Sequence, residues 1–342
     1  MRRLLNTIYV TNEKAYLMLD GENLVCKVDG ETALRVPFDN IENIVCFNYT
    51  GCSPALMGKC VSKGIPLNFI SPQGKFLATV RGQTRGNVFL RVAQIDMFRE
   101  HGLQLSQDTI AAKLSNTRQL IRRSLHDNAD LRHDSKIQDV MLVLEKGIES
   151  VYTAETVESV MGIEGYCAEQ YFSVFGKLLT GTNASFEFAL RTKRPPLDPV
   201  NAVLSFVYTL ETTEYAGALE TVGLDSYIGY CHALKSGRSS LACDLVEEAR
   251  CLAERFVLTL FNLRILSEND FETQVSGAVW LTPEGRKKVL SRWQERKRTD
   301  MQHPYLKQKI PIGLLPYVQS NLLAKYVRGD IPAYPSFLYR PS

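Results

Sequence analysis

Arg81-Gly-Gln-Thr-Arg-Gly-Asn87 carries two glycines and no hydrophobic period, and the rhythm of the chain changes across it. Before it, apolar residues come in short alternating runs. After it they recur every three or four residues almost to the C-terminus. The segment reads as a linker, and the chain as an α+β protein. A β-rich, β-sandwich-like N-terminal domain is expected over residues 1–85, and a larger all-α domain over 86–342.

Upstream of the linker, Thr7-Ile-Tyr-Val10 and Ala15-Tyr-Leu-Met-Leu19 are strand-like, with Asn12-Glu-Lys14 as the turn between them. Asp20-Gly21 and Asp29-Gly30 are hairpin turns bracketing Leu24-Val-Cys-Lys-Val28. Residues 41–47 and 65–70 predict further strands, joined by a short helix over 53–62 with Gly64 as its stop signal. Pro72-Gln-Gly74 then turns the chain into Phe76-Leu-Ala-Thr-Val80. Downstream, the period of 3.6 predicts helices over 88–100, 106–126, 135–152, 155–179, 199–221, 225–234, 240–266, 283–298 and 312–328. One hairpin interrupts them, with arms Phe271-Glu-Thr-Gln-Val275 and Ala278-Val-Trp-Leu281.

The 342 residues are enough for two domains, and 45% hydrophobic with 23% charged residues is the balance of a globular protein. No apolar run reaches the roughly 18 residues of a membrane span. The start, Met1-Arg-Arg-Leu-Leu, has no export-signal core, so a cytoplasmic protein is expected. Eight cysteines without a Cys-x-x-Cys pattern predict free thiols. A net charge of +3 is too small to identify a nucleic-acid binder, so any DNA footprint has to be local.

Chemistry enters at Glu164. Val157, Val160, Met161, Cys167, Tyr171, Val174 and Leu178 form one apolar stripe of a helix, and Glu164 falls on it between Gly162 and Gly165. A carboxylate buried on such a stripe costs several kcal/mol (roughly) unless it is paired or holds a metal. Partners are offered by Tyr230-Cys-His232-Ala and by Cys243-Asp244-Leu-Val-Glu247-Glu248. Leu241, Leu245, Ala249, Leu252 and Phe256 mark the packed face of a helix started by Ser239 or Ser240. Asp244 and Glu247, three apart, share a side of it. His232, at the end of a short upstream helix, folds back over its first turn. Glu164, His232 and Glu247, with Asp244 nearby, make a carboxylate-rich site with one imidazole. Such donors favour Mg²⁺ or Mn²⁺ and suit phosphodiester chemistry. Carboxylates at helical spacing commonly form a solvated face instead, so spacing alone does not decide the matter. A zinc site lacks a close ligand pair, and a serine hydrolase lacks the Gly-x-Ser-x-Gly elbow.

Positive charge is densest on the helix after Thr282-Pro283, which carries Arg286, Lys287, Lys288, Arg292, Arg296, Lys297 and Arg298. A second basic stretch holds Arg191, Lys193 and Arg194, in a proline-stiffened loop ahead of the cap Asp198-Pro199. Arg85, Arg91 and Gln94 are further candidates for contact with DNA.

Together these segments resemble CRISPR-associated protein 1, the adaptation integrase, over nearly the whole chain. Met161-Gly-Ile-Glu164-Gly is similar to that family's first metal-ligand motif. Arg194-Pro-Pro-Leu-Asp-Pro-Val-Asn201 is similar to its proline loop, Gly223 through His232 to its histidine motif, and Ser240 through Arg250 to its last-ligand motif. His303-Pro304 through Gly313-Leu-Leu-Pro316, with Tyr334-Pro-Ser-Phe337, resembles the type I-C branch. The resemblance implies an N-terminal β-domain that forms a homodimer and an α-helical catalytic domain. It implies Glu164, His232 and Glu247 as metal ligands, with Asp244 in or beside the site. It also implies, as partners, protospacer duplex and repeat DNA and a small CRISPR-associated protein 2 bridging two dimers. The expected activity is a divalent-metal-dependent integrase that joins 3′-hydroxyl ends of short duplex DNA to the CRISPR repeat. The alternatives are a structure-selective endonuclease on branched DNA and a non-catalytic DNA-binding scaffold. Neutral His232 is the ligating form, so acid is expected to weaken metal binding.

Overall fold

A computed structural model describes residues 7–71, 76–80, 88–181 and 186–340. The predicted linker 81–87, Arg85 with it, and the Pro72-Gln-Gly74 turn lie outside the described residues. Strands come first and helices dominate after them, as the change of period requires. Contacts group the chain into two compact units. The first is Met1–Gly86 with Leu266–Thr299, and the second is Asn87–Ile265 with Asp300–Ser342.

In the first unit, β1 (Thr7–Val10), β5 (Asn43–Cys46), β6 (Leu67–Ile70) and β7 (Phe76–Val80) form a sheet in the order β1-β5-β6-β7. Its first three strands are parallel, and β7 runs antiparallel to β6. β2 (Tyr16–Asp20), β3 (Asn23–Val28) and β4 (Glu31–Pro37) form an antiparallel meander. The β3–β4 turn puts Asp29 at φ 50° and Gly30 at φ 89°, the paired positive angles that match the twist of a tight hairpin. Leu17, Leu24 and Cys26 from the meander meet Ile44, Cys46 and Leu67 from the other sheet, with Leu56 and Cys60 of helix α1 (Pro54–Lys63), in one buried core. Helix α1 begins at Ser53, whose hydroxyl accepts from Leu56 N–H at 3.2 Å, and ends on Gly64 in the left-handed region.

The hairpin β8 (Phe271–Thr273) and β9 (Val279–Leu281) and the basic helix α7 (Pro283–Lys297) belong to this same unit. The sequence boundary groups them with the helices, but their contacts group them with the strands. Arg286 reaches Glu13 at 3.4 Å, and Lys297 reaches the Thr7 hydroxyl at 3.3 Å and lies over the Tyr9 ring.

The second unit is built on α2 (Val88–Asp127), a single helix of 40 residues. The sequence predicts two helices there, broken near Gly102. The helix continues because tertiary contacts outweigh the roughly 1 kcal/mol cost of a mid-helix glycine. Gly102 packs against Tyr230, and Ser106 Oγ donates to both the Gly102 and Tyr230 carbonyls. Around this spine, α3 (Ser135–Thr153), α4 (Val157–Phe175) and α6 (Ser240–Asn262) pack directly on α2, and α5 (Pro199–Val222) packs on α6. The chain then adds a hairpin missed by the hydrophobic period, β10 (Asp300–His303) and β11 (Gln308–Pro311), and α8 (Leu315–Val327). The C-terminal tail is tied down by Glu248. Its carboxylate accepts from Tyr334 Oη at 2.6 Å, Gln319 Nε2 at 2.8 Å and Phe337 N–H at 2.7 Å. None of the eight cysteines is paired. Among the described residues no helix is long and apolar enough to cross a membrane.

One buried acid in this unit has no role in that packing. Glu211 on α5 is 4% exposed, its Oε2 has no hydrogen-bond partner, and burial pushes its carboxyl up to about 8. The fold therefore keeps this proton up to about pH 8, whereas the unfolded chain releases it near 4.5. Between those values the unfolded state binds fewer protons, so stability falls as pH rises through that window. Glu211→Gln is expected to remove the decline. Its unfolding free energy should match wild type near pH 5 and exceed it at pH 9, by up to about 5 kcal/mol at roughly 1.4 kcal/mol per pH unit between the two values. Equal pH profiles for the two proteins in thermal melts would refute the assignment.

Candidate metal centre

Three elements of the second unit bring the predicted acids together. Helix α4 starts at Thr156, whose hydroxyl caps Ser159 N–H, and carries Glu164 two turns in. Helix α6 carries Asp244 and Glu247 on its first two turns; Ser239 stands at its N-cap but its side chain makes no capping bond. Between them on α2 lies Lys113, which the sequence reading passed over. Its ammonium pairs with Glu164 Oε1 and with Glu247 Oε2. All three side chains are largely buried, at 13%, 15% and 4% exposure. A second cation, Arg250, donates from Nε and Nη2 to Glu247 Oε1 at 2.9 and 2.8 Å and stacks 4.5 Å from the centroid of the Tyr208 ring. Burial pushes the Glu247 carboxyl up, but Arg250 and Lys113 outweigh it and hold the group well below the usual carboxylate range. The same contest runs the other way at Lys113. Burial favours the neutral amine, and Glu247 and Glu164 keep it charged above its ordinary value.

His232 arrives from a loop. The sequence predicts a helix over 225–234, but residues 223–239 contain none. Here the backbone gives its N–H groups to a side chain. Asp244 Oδ2 accepts from Tyr230 N–H at 2.7 Å and Cys231 N–H at 3.1 Å, and Oδ1 accepts from His232 N–H at 2.8 Å. Donors committed to a carboxylate are not available for the carbonyls of a helix. Gly229 allows this approach, since a Cβ there would stand 2.5 Å from Asp244 Oδ2 and 2.9 Å from Ser240. Gln94, buried on α2, secures the other end of the loop through Asp225 and Ile228, so it is a structural residue.

Asp244 also accepts from the ring. His232 Nδ1 lies 2.7 Å from Asp244 Oδ1, so the Nδ1 proton is held there and the Nε2 lone pair is left free. Nε2 faces Glu247 Oε1 at 4.0 Å. Asp244 is thus fully engaged in orienting the histidine, and its two oxygens are not offered to an ion. Cys231, His232 and Asp244 do have donor atoms within 4.8 Å of one another. That trio is a poor metal site, because burial and Asp244 push the Cys231 thiol far above its ordinary value. The other candidate set is Glu164, Glu247 and His232 Nε2, in which Nε2 stands 4.0 Å from Glu247 Oε1. Two carboxylates already share one cation, the Lys113 ammonium, and the donor set of oxygen with one imidazole nitrogen suits Mg²⁺ or Mn²⁺.

The basic residues divide. Lys193 and Arg194 are exposed. Partial desolvation, then Arg250, Arg191 and Lys113, lower the Lys193 pKa, while Glu164 raises it, so its ammonium lies within the electrostatic reach of the acidic pair. Arg191 does not reach outward as the sequence suggested. Its guanidinium donates to Asn201 Oδ1 at 2.7 Å and Ser205 Oγ at 3.1 Å and lies over Tyr208, stitching the proline loop to α5. Within the first unit, Arg286 and Lys297 are each 3% exposed and turned inward, whereas Lys287, Lys288, Arg292 and Arg298 are exposed and Arg296 is half-buried. Lys288 pairs with Asp270 at 2.8 Å and Arg292 with Glu295 at 2.8 Å. Arg91 is half-buried on the first turn of α2. Lys113 was detectable in the sequence as the one charge in Ile110-Ala-Ala-Lys-Leu114, a run that is otherwise buried. Arg250 stands three residues after Glu247, the spacing of a helical pair.

The helical unit thus pairs two acids, Glu164 and Glu247, with one buried lysine and sets an oriented histidine 4.0 Å from Glu247, the donor set of a candidate metal-site protein. The family model described as CRISPR associated protein Cas1 matches residues 8–295, and the chain belongs to that family. It is 43% identical over 348 aligned residues to the CRISPR-associated endonuclease Cas1 2 of Rhodospirillum rubrum, covering 99% of this chain and 100% of that protein. Among solved structures, a casposase bound to integration product superposes with a TM-score of 0.85 at 19% identity, over 98% of this chain and 94% of the casposase. A Cas6-RT-Cas1–Cas2 complex gives 0.83 at 20% identity, over 98% of this chain and 36% of the matched one. At those identities the likeness is one of fold.

Proposed function

We propose that the chain is a divalent-metal-dependent DNA integrase of CRISPR spacer acquisition, joining the 3′-hydroxyl ends of short duplex DNA to the repeat by transesterification. Its curated relatives are named endonucleases, and the chain is an enzyme of that class. The observation that carries the reading is that Glu164 on α4 and Glu247 on α6 share one cation, Lys113, while His232 of the 223–239 loop brings Nε2 to 4.0 Å from Glu247 Oε1.

The roles follow from the geometry. Glu164 and Glu247 would hold a Mg²⁺ or Mn²⁺ ion by oxygen, and His232 by Nε2, with Asp244 keeping the Nδ1 proton in place. The chemistry such an ion supplies is charge stabilisation at a phosphate oxygen and a lower pKa for an attacking hydroxyl. Arg250 holds Glu247 in one orientation, so the carboxylate does not have to be ordered at the moment of reaction. The turn of α4 that carries Glu164 is solvent-exposed on its other faces, since Gly162 and Gly165 are exposed and a Cβ on either would meet nothing within 4 Å. The exposed Lys193 and Arg194, the first within electrostatic reach of Glu164, would contact the backbone of a phosphodiester bound at the site. Lys287, Lys288, Arg292 and Arg298 are the candidates on α7 for a second backbone contact. A homodimer through the β-rich unit, a small Cas2 partner bridging two dimers, and assignment to the type I-C branch belong to the same proposal. The Cas2 partnership is supported by the fold shared with the Cas1–Cas2 complex.

The test is a joining reaction. A labelled duplex with free 3′-hydroxyl ends is incubated with Mn²⁺ and a supercoiled plasmid carrying a leader and repeat. Label covalently attached to the plasmid is expected with hydroxyl ends and absent with 3′-dideoxy ends. Cleavage of branched DNA with no attached label under any condition would favour the structure-selective nuclease and overturn the integrase.

A further inference from the structure

Lys113 has no part in the donor set, yet it occupies the middle of it. Among the described residues its ammonium is the one cation that touches both Glu164 and Glu247, while Arg250 touches only Glu247. The charges of these two acids and two bases cancel before any ion is added, and the further carboxylate nearby, Asp244, is committed to the loop amides and to His232 Nδ1. Neutrality of this kind matters in a buried place. Two carboxylates brought together without a counter-cation repel at low effective dielectric, and at least one must be protonated or pushed out toward water. The Lys113 backbone is also fixed. Thr117 Oγ1 donates to the Lys113 carbonyl at 3.0 Å, and one turn along the helix Asn116 is clamped to the Glu248 and Phe337 carbonyls at 2.7 and 2.8 Å. The α2 backbone therefore does not move with the ammonium, and what is free to change is the four-carbon side chain.

We propose that Lys113 is a resident counter-cation of the metal centre. It holds Glu164 and Glu247 in register in the metal-free protein and gives up that position when a divalent ion enters. This rests on the metal-site reading above. A divalent ion entering between Glu164 and Glu247 meets the repulsion of the ammonium already paired with both, so occupancy by the two cations is competitive. Lys113 is accordingly a positioning residue, and its removal has opposite effects on two measurable quantities. The metal-free protein loses stability, and the metal-binding equilibrium gains affinity.

The experiment uses the full chain and needs no DNA. Mn²⁺ is titrated calorimetrically into wild type, Lys113→Met, Lys113→Arg and the double variant Lys113→Met/Glu164→Gln, and each is melted with and without Mn²⁺. Lys113→Met is expected to melt lower than wild type without metal, to regain the difference when Mn²⁺ is added, and to bind Mn²⁺ at least about tenfold tighter. Lys113→Arg retains the charge and should stay near wild type in both readouts. The double variant removes the repulsion by neutralising one acid, so its metal-free melting point should return toward that of wild type even if Lys113→Met alone folds poorly. Unchanged or weaker Mn²⁺ binding by folded Lys113→Met overturns the inference, as does a double variant no more stable than the single one. Absence of Mn²⁺ binding in every protein, wild type included, overturns the metal-site reading itself.

Discussion

Glu247→Gln is expected to lower strand transfer by about 10³-fold or more while leaving DNA binding within about twofold of wild type. The side chain keeps its shape but loses the charge that Lys113, Arg250 and a divalent ion all require. Its remaining oxygen still accepts from Arg250, so the destabilisation should fall below the roughly 3–5 kcal/mol typical of breaking a buried pair outright. The wild-type residue also predicts an acid limb. Arg250 and Lys113 hold the Glu247 pKa below its unfolded value near 4.5. The stability it contributes is therefore complete above that value and is lost as falling pH protonates the folded-state carboxylate. The variant should lack this term, and chemical denaturation at pH 7 and pH 3 measures it. Strand transfer by Glu247→Gln within tenfold of wild type would remove Glu247 from the centre.

Asp244→Asn should be nearly as damaging, by a different route. In wild type the two oxygens of Asp244 accept three backbone N–H groups and the imidazole Nδ1–H. An asparagine offers one acceptor oxygen and turns an NH₂ group toward donors. Whichever way the amide faces, at least one buried N–H loses its partner, at about 1–3 kcal/mol each. The 223–239 loop and the histidine it carries should loosen, with Mn²⁺ affinity falling about 10- to 100-fold, as when a group that orients a metal-bound histidine is removed. Crystallography or amide exchange at residues 230–232 separates this from a direct-ligand role. A direct ligand would cost metal affinity with those amides still protected, and orientation predicts loss of both together.

The candidate site was legible in the sequence to the extent that its residues broke a local rule. Glu164 is an acid on an apolar stripe, and Asp244 and Glu247 are acids on the inner side of a helix that buries almost everything else. Lys113 breaks the same rule in Ile110-Ala-Ala-Lys-Leu114, but its acid partners, Glu164 and Glu247, lie 51 residues and more further along the chain, and only the packing of α4 and α6 on α2 brings them to it. The loop that carries His232 has apolar residues at helical spacing, so the sequence predicts a helix where the structure has none. What prevents a helix there is a carboxylate 12 to 14 residues away along the chain.

The sequence alone determined what depends on neighbours in the chain. Strands precede helices because the hydrophobic period changes from two to 3.6. Helices start at Ser53-Pro54, Asp198-Pro199 and Thr282-Pro283 because cap and proline act within one turn. Tertiary structure decided where each charge goes. Arg286 and Lys297 turn inward while Lys287 and Arg298 face water, and Glu247 faces Lys113 and Arg250 while adjacent Glu248 anchors the C-terminal tail. Residues of like charge on one helix are equivalent to any local pattern. They differ only in the partner that folding brings within reach, and a buried charge is tolerable only where that partner exists.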